Sequence, residues 1–302
     1  MKIVGRFKKI NPLLPLYIIV GLLTVAIPLR TYQLLFITEY DTGFYKTVDW
    51  SVYVVYGLSA AAILVSVVLV NLAKNVPSSR DEIRKKNMFL AVSSILFALG
   101  IIVDVILAFS SMLANDSTNM MTGILGQENI VPLIIEAVFG VLSAIYIMMF
   151  GISHFDGKTT YAQYKFLALT PLVWTIGRII LRFLRKISYV NIADLMLELF
   201  ILASMMLFFL AFARISSGLA NERSMRSLFA SGYVCIFFCL IANIPRFVIG
   251  ITGNSAYLPD EYPLSLCDLT FALFAASYIV NAMKKATEND HNEIYIDEED
   301  KK

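Results

Sequence analysis

The chain has 302 residues, 58% of them hydrophobic and only 16% charged, with a formal net charge of +2 and a mean hydropathy of +0.71. A soluble domain is about 45–50% apolar, so this composition excludes an ordinary soluble fold, and a net charge of +2 gives no indication of a nucleic-acid partner. The composition points to an all-α polytopic membrane protein embedded in the lipid bilayer.

The opening stretch MKIVGRFKKINP is basic and leads into an apolar run with no small-residue cleavage site, which reads as a retained signal anchor. A run of about 20 mainly apolar residues crosses a bilayer as a helix. Eight such runs occur, at residues 13–38, 50–73, 88–113, 130–152, 164–186, 193–214, 227–250 and 263–283. Pro132 and Pro263 open the fourth and eighth, where a first helical turn tolerates proline. Residues 1–285 then form one transmembrane domain. Residues 286–302 are polar and acid-rich without apolar period, as a disordered tail would be. Tyr295 with Asp297, Glu298, Glu299 and Asp300 reads as a solvated face or as a contact for a cytoplasmic protein partner.

Basic residues gather at alternate connections. Lys2, Arg6, Lys8 and Lys9 share a side with Lys74, Arg80, Arg84, Lys85 and Lys86, with Lys158 and Lys165, with Arg214, Arg223 and Arg226, and with Lys284 and Lys285. The positive-inside rule places that side, and both termini, in the cytoplasm of a cell whose plasma or inner membrane holds the protein. Arg185 and Lys186, at the other side, run against the rule.

Charge inside the spans is the most informative feature. Arg30, Asp104, Glu136, Arg178, Glu198, Arg246 and Asp268 all fall within apolar runs, where each charge costs roughly 2.5–3.5 kcal/mol on the insertion scale. Counted along the helices, all seven fall about 8–13 Å below the outer surface. Three Arg–carboxylate pairs with one acid left over, Asp104, is the simplest arrangement. As a ligand site, Arg30, Arg178 and Arg246 would hold anionic groups. Glu136, Glu198 and Asp268 would hold cationic groups or accept protons. As a purely structural set, the pairs would only lock helices together. Arg178, Arg182 and Arg185 form one stripe, and Asp194 and Glu198 on the next helix can reach back to it. Pro28, Pro171 and Pro245 fall in mid-span, two of them close to a buried arginine, and broken helices beside charges are where transporter sites occur.

The even-numbered spans share a template. Tyr53-Val-Val-Tyr56-Gly57, Glu136-Ala-Val-Phe139-Gly140 and Asp268-Leu-Thr-Phe271-Ala272 each set a polar residue, an aromatic at i+3 and a small residue at i+4 on one face. Parallel repeats follow as an expectation, either hairpins or four-helix units at 1–153 and 164–285. Tyr53 would then be the counterpart of the acids.

No catalytic or metal motif accompanies these features, and no cofactor is implied. The two histidines, His154 and His291, fall outside the predicted spans, and neither a zinc motif nor a phosphate loop is present. Cys235, Cys239 and Cys267 lie in apolar runs as free packing thiols. Function is left between two readings. One is a transporter or small-molecule-binding protein with an outward-facing charged cavity for a small polar ligand or ion. The other is a sensor or accessory subunit acting through its cytoplasmic loops and tail.

The stretch from Gly21 through Leu29-Arg30-Thr31-Tyr32-Gln33 to Asp41-Thr42-Gly43-Phe44-Tyr45 and Asp49-Trp50 resembles a pattern in uncharacterised eight-helix membrane proteins of Clostridia-like bacteria. There an arginine ends the first span and an Asp…Gly turn leads to the second. The resemblance implies a bacterial inner membrane and carries no function.

Overall fold

The computed structural model describes residues 13–39, 43–47, 49–73, 76, 86–114, 130–184, 192–219, 221–253 and 264–299. Within them lie eight helices long and apolar enough to cross a membrane: α1 (Leu14–Tyr32), α2 (Trp50–Leu72), α3 (Met88–Ala114), α4 (Ile130–Asp156), α5 (Thr170–Leu184), α6 (Ile192–Ser216), α7 (Glu222–Ile251) and α8 (Leu266–Glu299). The chain is therefore an integral, multi-pass all-α bundle. Among the described residues the only pairing of extended backbone is the isolated bridge Thr38–Tyr45 after α1.

Helices α3 to α8 close into a ring in chain order. Each packs on the next, and α8 returns to α3. The α1–α2 hairpin stands outside the ring and packs on α7. Among the described residues no comparable contact joins α5 to α3. With an even number of spans, both ends of the described chain lie on one side. That side is tied together by polar contacts. Asn87 Nδ2 donates to Asn281 Oδ1 at 2.7 Å, the Asn87 amide donates to the His154 carbonyl at 3.2 Å, and Arg226 donates to the Val70 and Asn71 carbonyls that end α2.

Several sequence expectations change here. The fifth span is short, because two 3₁₀ turns (Thr160–Gln163 and Leu167–Leu169) precede α5. Pro171 is thus the second residue of a helix, where its missing N–H costs nothing; Pro28 and Pro245 do lie inside their helices. His154 belongs to the last turn of α4, buried between Phe150 and Tyr161, its Nδ1 2.9 Å from the Phe150 carbonyl. The segment expected as a disordered tail from 286 continues α8 to Glu299; an existing helix extends without a new nucleation step. Side chains past Met283, the basic N-terminus, Arg185, Lys186, Pro263 and most of the 74–87 loop lie outside the described residues.

The half of the ring nearer the termini is filled with aromatic side chains. Phe97 (α3), Phe150 (α4), Phe208, Phe209 and Phe212 (α6), and Phe271, Phe274 and Tyr278 (α8) are all buried and pack ring on ring. Such close approach needs small residues at the crossings. A methyl at Gly100 would overlap the Thr270 hydroxyl and lie 3.3 Å from the Cys267 backbone. Gly100→Val is therefore expected to push α3 off α8 and destabilise the protein by about 1–3 kcal/mol, read as a lower unfolding midpoint in detergent.

Candidate functional site

At the end of the ring opposite the termini lies a cavity of about 520 Å³. All six ring helices contribute a charged side chain to it: Asp104 from α3, Glu136 from α4, Arg178 and Arg182 from α5, Asp194 and Glu198 from α6, Arg246 from α7 and Asp268 from α8. Six of the seven charges singled out in the sequence thus meet in one place. At 1.5 Å per residue, Glu136, Arg178 and Arg246 sit about 8–9 Å in from their helix ends, and Asp194 and Asp268 about 3 Å in. Glu198 of α6 also sits about 9 Å in; Asp268 is shallower than expected, because α8 begins at Leu266 rather than 263, and Asp104 is deeper, about 15 Å from the end of α3.

The charges fall into three groups. In the first, Arg178 is shared by two acids, with Nε 3.5 Å from Asp104 Oδ2 and Nη1 3.3 Å from Asp268 Oδ1. Glu136 adds a third negative charge to its surroundings. Below it the Trp174 ring faces the guanidinium at 5.2 Å, a cation–π contact. Trp174 in turn meets Phe97 edge-on at 6.4 Å, so the aromatic cluster backs the Arg178 side chain without itself lining the cavity. At Gly177 α5 lies on the Glu136 backbone, where a Cβ would make ordinary van der Waals contact at 3.5 Å.

In the second group, Asp194 Oδ1 accepts from two arginines, Arg30 Nη2 at 2.7 Å and Arg246 Nη2 at 3.0 Å. Arg30 comes from the outlying α1, does not line the cavity and is 3% exposed. The local chain is built to hold it. After Tyr32 the helix widens into a π turn, Gln33–Ile37, closed by the Thr38 amide on the Gln33 carbonyl at 2.8 Å. π turns inside helices are frequent at functional positions. Gly43, at φ +64°, turns the chain back so that the Tyr45 hydroxyl accepts from Arg30 Nη1 at 3.1 Å. The Gln33 carboxamide oxygen takes the same nitrogen at 3.2 Å.

In the third group, Arg182 Nε lies 2.9 Å from Glu198 Oε2 across the α5–α6 seam. The two atoms are close without being aligned as a hydrogen bond.

This pairing corrects three sequence expectations, while Glu198 reaches back to Arg182 of the α5 stripe. Asp104 is not left over but shares Arg178. Asp194, a secondary candidate, is the most heavily engaged acid, and it reaches past the α5 stripe to Arg30 and Arg246. Tyr53 is not in the site at all: it is 68% exposed on the outside of α2. Its template residues Tyr56 and Gly57 also face outward, with nothing within 4 Å of a methyl at Gly57. Equal spacing fixes which residues share a face, while packing decides where that face points, and among the described residues α2 packs chiefly on α1 and α7.

Sequence reasoning missed the polar residues that position the charges. Asn243 on α7, fully buried, donates to the Cys239 carbonyl and accepts from the Ser265 amide at 2.9 Å. Ser265 Oγ then caps the Asp268 amide at 3.2 Å. A buried asparagine two residues before a mid-helix proline was the available signal. The three cysteines are free and buried, with Cys235 and Cys239 sulfurs 3.8 Å apart. Among the described residues, no group of three or more His, Cys, Asp and Glu side chains is arranged to hold a metal ion.

No protein family, curated protein or solved structure matches this chain.

Proposed function

We propose that this membrane protein binds a small polar solute in the ring cavity and carries it across the bilayer, with the cavity open to the outside and both termini in the cytoplasm. One observation carries the reading: six helices each deliver a charged side chain to a single open cavity. Its volume falls within the roughly 300–1,000 Å³ of small-molecule sites, and intramembrane charges in transporters mark substrate and ion pathways. A purely structural role accounts for Arg30, sealed behind Asp194. It does not account for Asp104 and Glu198, whose side chains keep 25% and 29% exposure inside the bundle. The aromatic cluster closes the path toward the termini, so passage requires that cluster to rearrange, and Pro245 beside Arg246 supplies a weak point in α7.

The test has two parts. In a variant lacking the three native cysteines, Ala108→Cys in the cavity wall is expected to react with a membrane-impermeant thiol reagent from outside the cell, while Tyr53→Cys in the lipid-facing surface does not. In proteoliposomes, a panel of labelled amino acids, amines and small carboxylates is expected to include at least one solute whose uptake falls tenfold or more in Arg178→Leu. A reactive Ala108→Cys variant with no bound or transported solute would leave the structural reading standing and ours wrong.

A further inference from the structure

The side of the ring that carries the termini is closed in two layers. The aromatic cluster is the first, and α8 lays one stripe along it. Phe271, Ala275, Tyr278 and Ala282 recur at i, i+4, i+7 and i+11, and all four are buried. Phe271 packs on Phe97, Phe208 and Phe209. Tyr278 packs on Phe150, Phe208 and Phe212. The stripe therefore faces the ring interior.

The second layer is a set of hydrogen bonds at the level of Ala282. Asn281, fully buried on α8, accepts from Asn87 Nδ2 at 2.7 Å. The Asn87 amide donates to the His154 carbonyl in the last turn of α4 at 3.2 Å. Asn87 Oδ1 accepts from the Phe89 and Leu90 amides at 3.0 and 3.3 Å, the contact of a helix cap. One residue thus ties the start of α3 to the end of α4 and to α8.

The two ends of the ring are fastened by different chemistry. At the cavity end Arg30 and Arg246 hold Asp194 at 2.7 and 3.0 Å, and charge-assisted contacts are roughly twice as strong as neutral ones. At the termini end the tie between α3 and α8 joins two neutral amides. Water can replace either partner of such a bond, so it shifts a two-state equilibrium by only about two- to twelvefold. Its chemistry suits a contact that is made and broken repeatedly.

We propose that Asn87 and Asn281 form the inner latch of the transport path. With the bond made, α3, α4 and α8 are held together and the termini side is shut while the charged cavity stays open. With it broken, α8 moves off α3, and the stripe from Ala282 to Ala275 opens to the termini side. Neither asparagine lines the cavity, so both act by positioning helices. This inference rests on the ring carrying a solute across the membrane.

The experiment follows single cysteines in the full-length protein without its native cysteines, using a membrane-impermeant thiol reagent on inside-out vesicles. The reporters are Ala282→Cys and Ala275→Cys, the second about 10 Å deeper along α8. Both are expected to react slowly with the latch intact and three- to tenfold faster when Asn281→Ala is added, a change that leaves the α3 cap in place. Unchanged rates at both positions overturn the latch. So does a faster rate at Ala282→Cys alone, which is fraying of α8 and not opening of the path. Where Asn281→Ala does not fold, the double variant Asn87→Cys, Asn281→Cys decides instead, its thiols joined by a short bifunctional methanethiosulfonate. Uptake of the solute that Arg178→Leu fails to carry is expected to stop on joining and to return on reduction. Uptake that continues through the joined protein overturns the latch and keeps the transporter. Absence of uptake of every panel solute by the wild-type protein discards the transport reading, and the latch with it.

Discussion

Asp194→Asn is expected to destabilise the protein by about 3–5 kcal/mol, the penalty of removing one partner from a buried ionic cluster. The change leaves two guanidiniums facing each other across a neutral amide, one of them 3% exposed. The measurement is the thermal unfolding midpoint of purified protein in a fixed detergent. Glu198→Gln provides the contrast. Its pair with Arg182 lines the cavity, with the glutamate 29% exposed and less engaged than Asp194, and losing it is expected to cost about 1 kcal/mol. Adding Arg30→Met to Asp194→Asn is expected to recover part of the loss, because it removes the charge that no water reaches. Equal midpoints for Asp194→Asn and Glu198→Gln would show that Asp194 does not join α1 to the ring.

Phe97→Ala is the second large effect, expected at about 3 kcal/mol or more by the same readout. Inside a bilayer the gain from burying apolar groups against one another is mainly close packing, since lipid is as apolar as the side chain. Phe97 has the packing to lose: Phe271, Phe274 and Phe209 lie at 5.3, 5.5 and 6.1 Å, and Trp174 at 6.4 Å. The void would open directly beneath Trp174, which supports Arg178, so solute binding should weaken along with stability. Phe36→Ala, at a position 66% exposed to the outside, is expected to change stability by no more than about 0.5 kcal/mol. A comparable loss at both positions would mean that the aromatic cluster is not the packed support behind Arg178.

Much of the architecture is legible without coordinates, because the bilayer imposes a coarse rule. Every backbone polar group must bond within its own segment, so a long apolar run can only be a helix. The ends of α2 and α6 fall within two residues of the positions read from hydropathy. The fifth span begins six residues late, since hydropathy cannot distinguish 3₁₀ turns from a helix among similar residues, and α7 begins five residues early, at Glu222. The cost of intramembrane charge likewise exposed the site: Asp104, Glu136, Arg178, Glu198, Arg246 and Asp268 needed only their position in apolar runs to be noticed.

What the sequence could not supply is rotation and partnership. Tyr53 and Glu136 occupy matching places in a matching template. One faces lipid and the other the cavity, because α2 lies outside the ring that contains α4. Asp194 looked like a residue at a helix start near a basic stripe; only the packing of α1 against α7 brought Arg30 to it, across 164 residues of chain. The amino-acid sequence by itself determined eight spans, an all-α membrane fold and the level at which charge concentrates, since each follows from one-dimensional transfer cost. The tertiary structure decided which helices close the ring, which acid serves two arginines and which helices bring their charges to one cavity. Those depend on helix rotation and on contacts distant in sequence, which transfer cost does not encode.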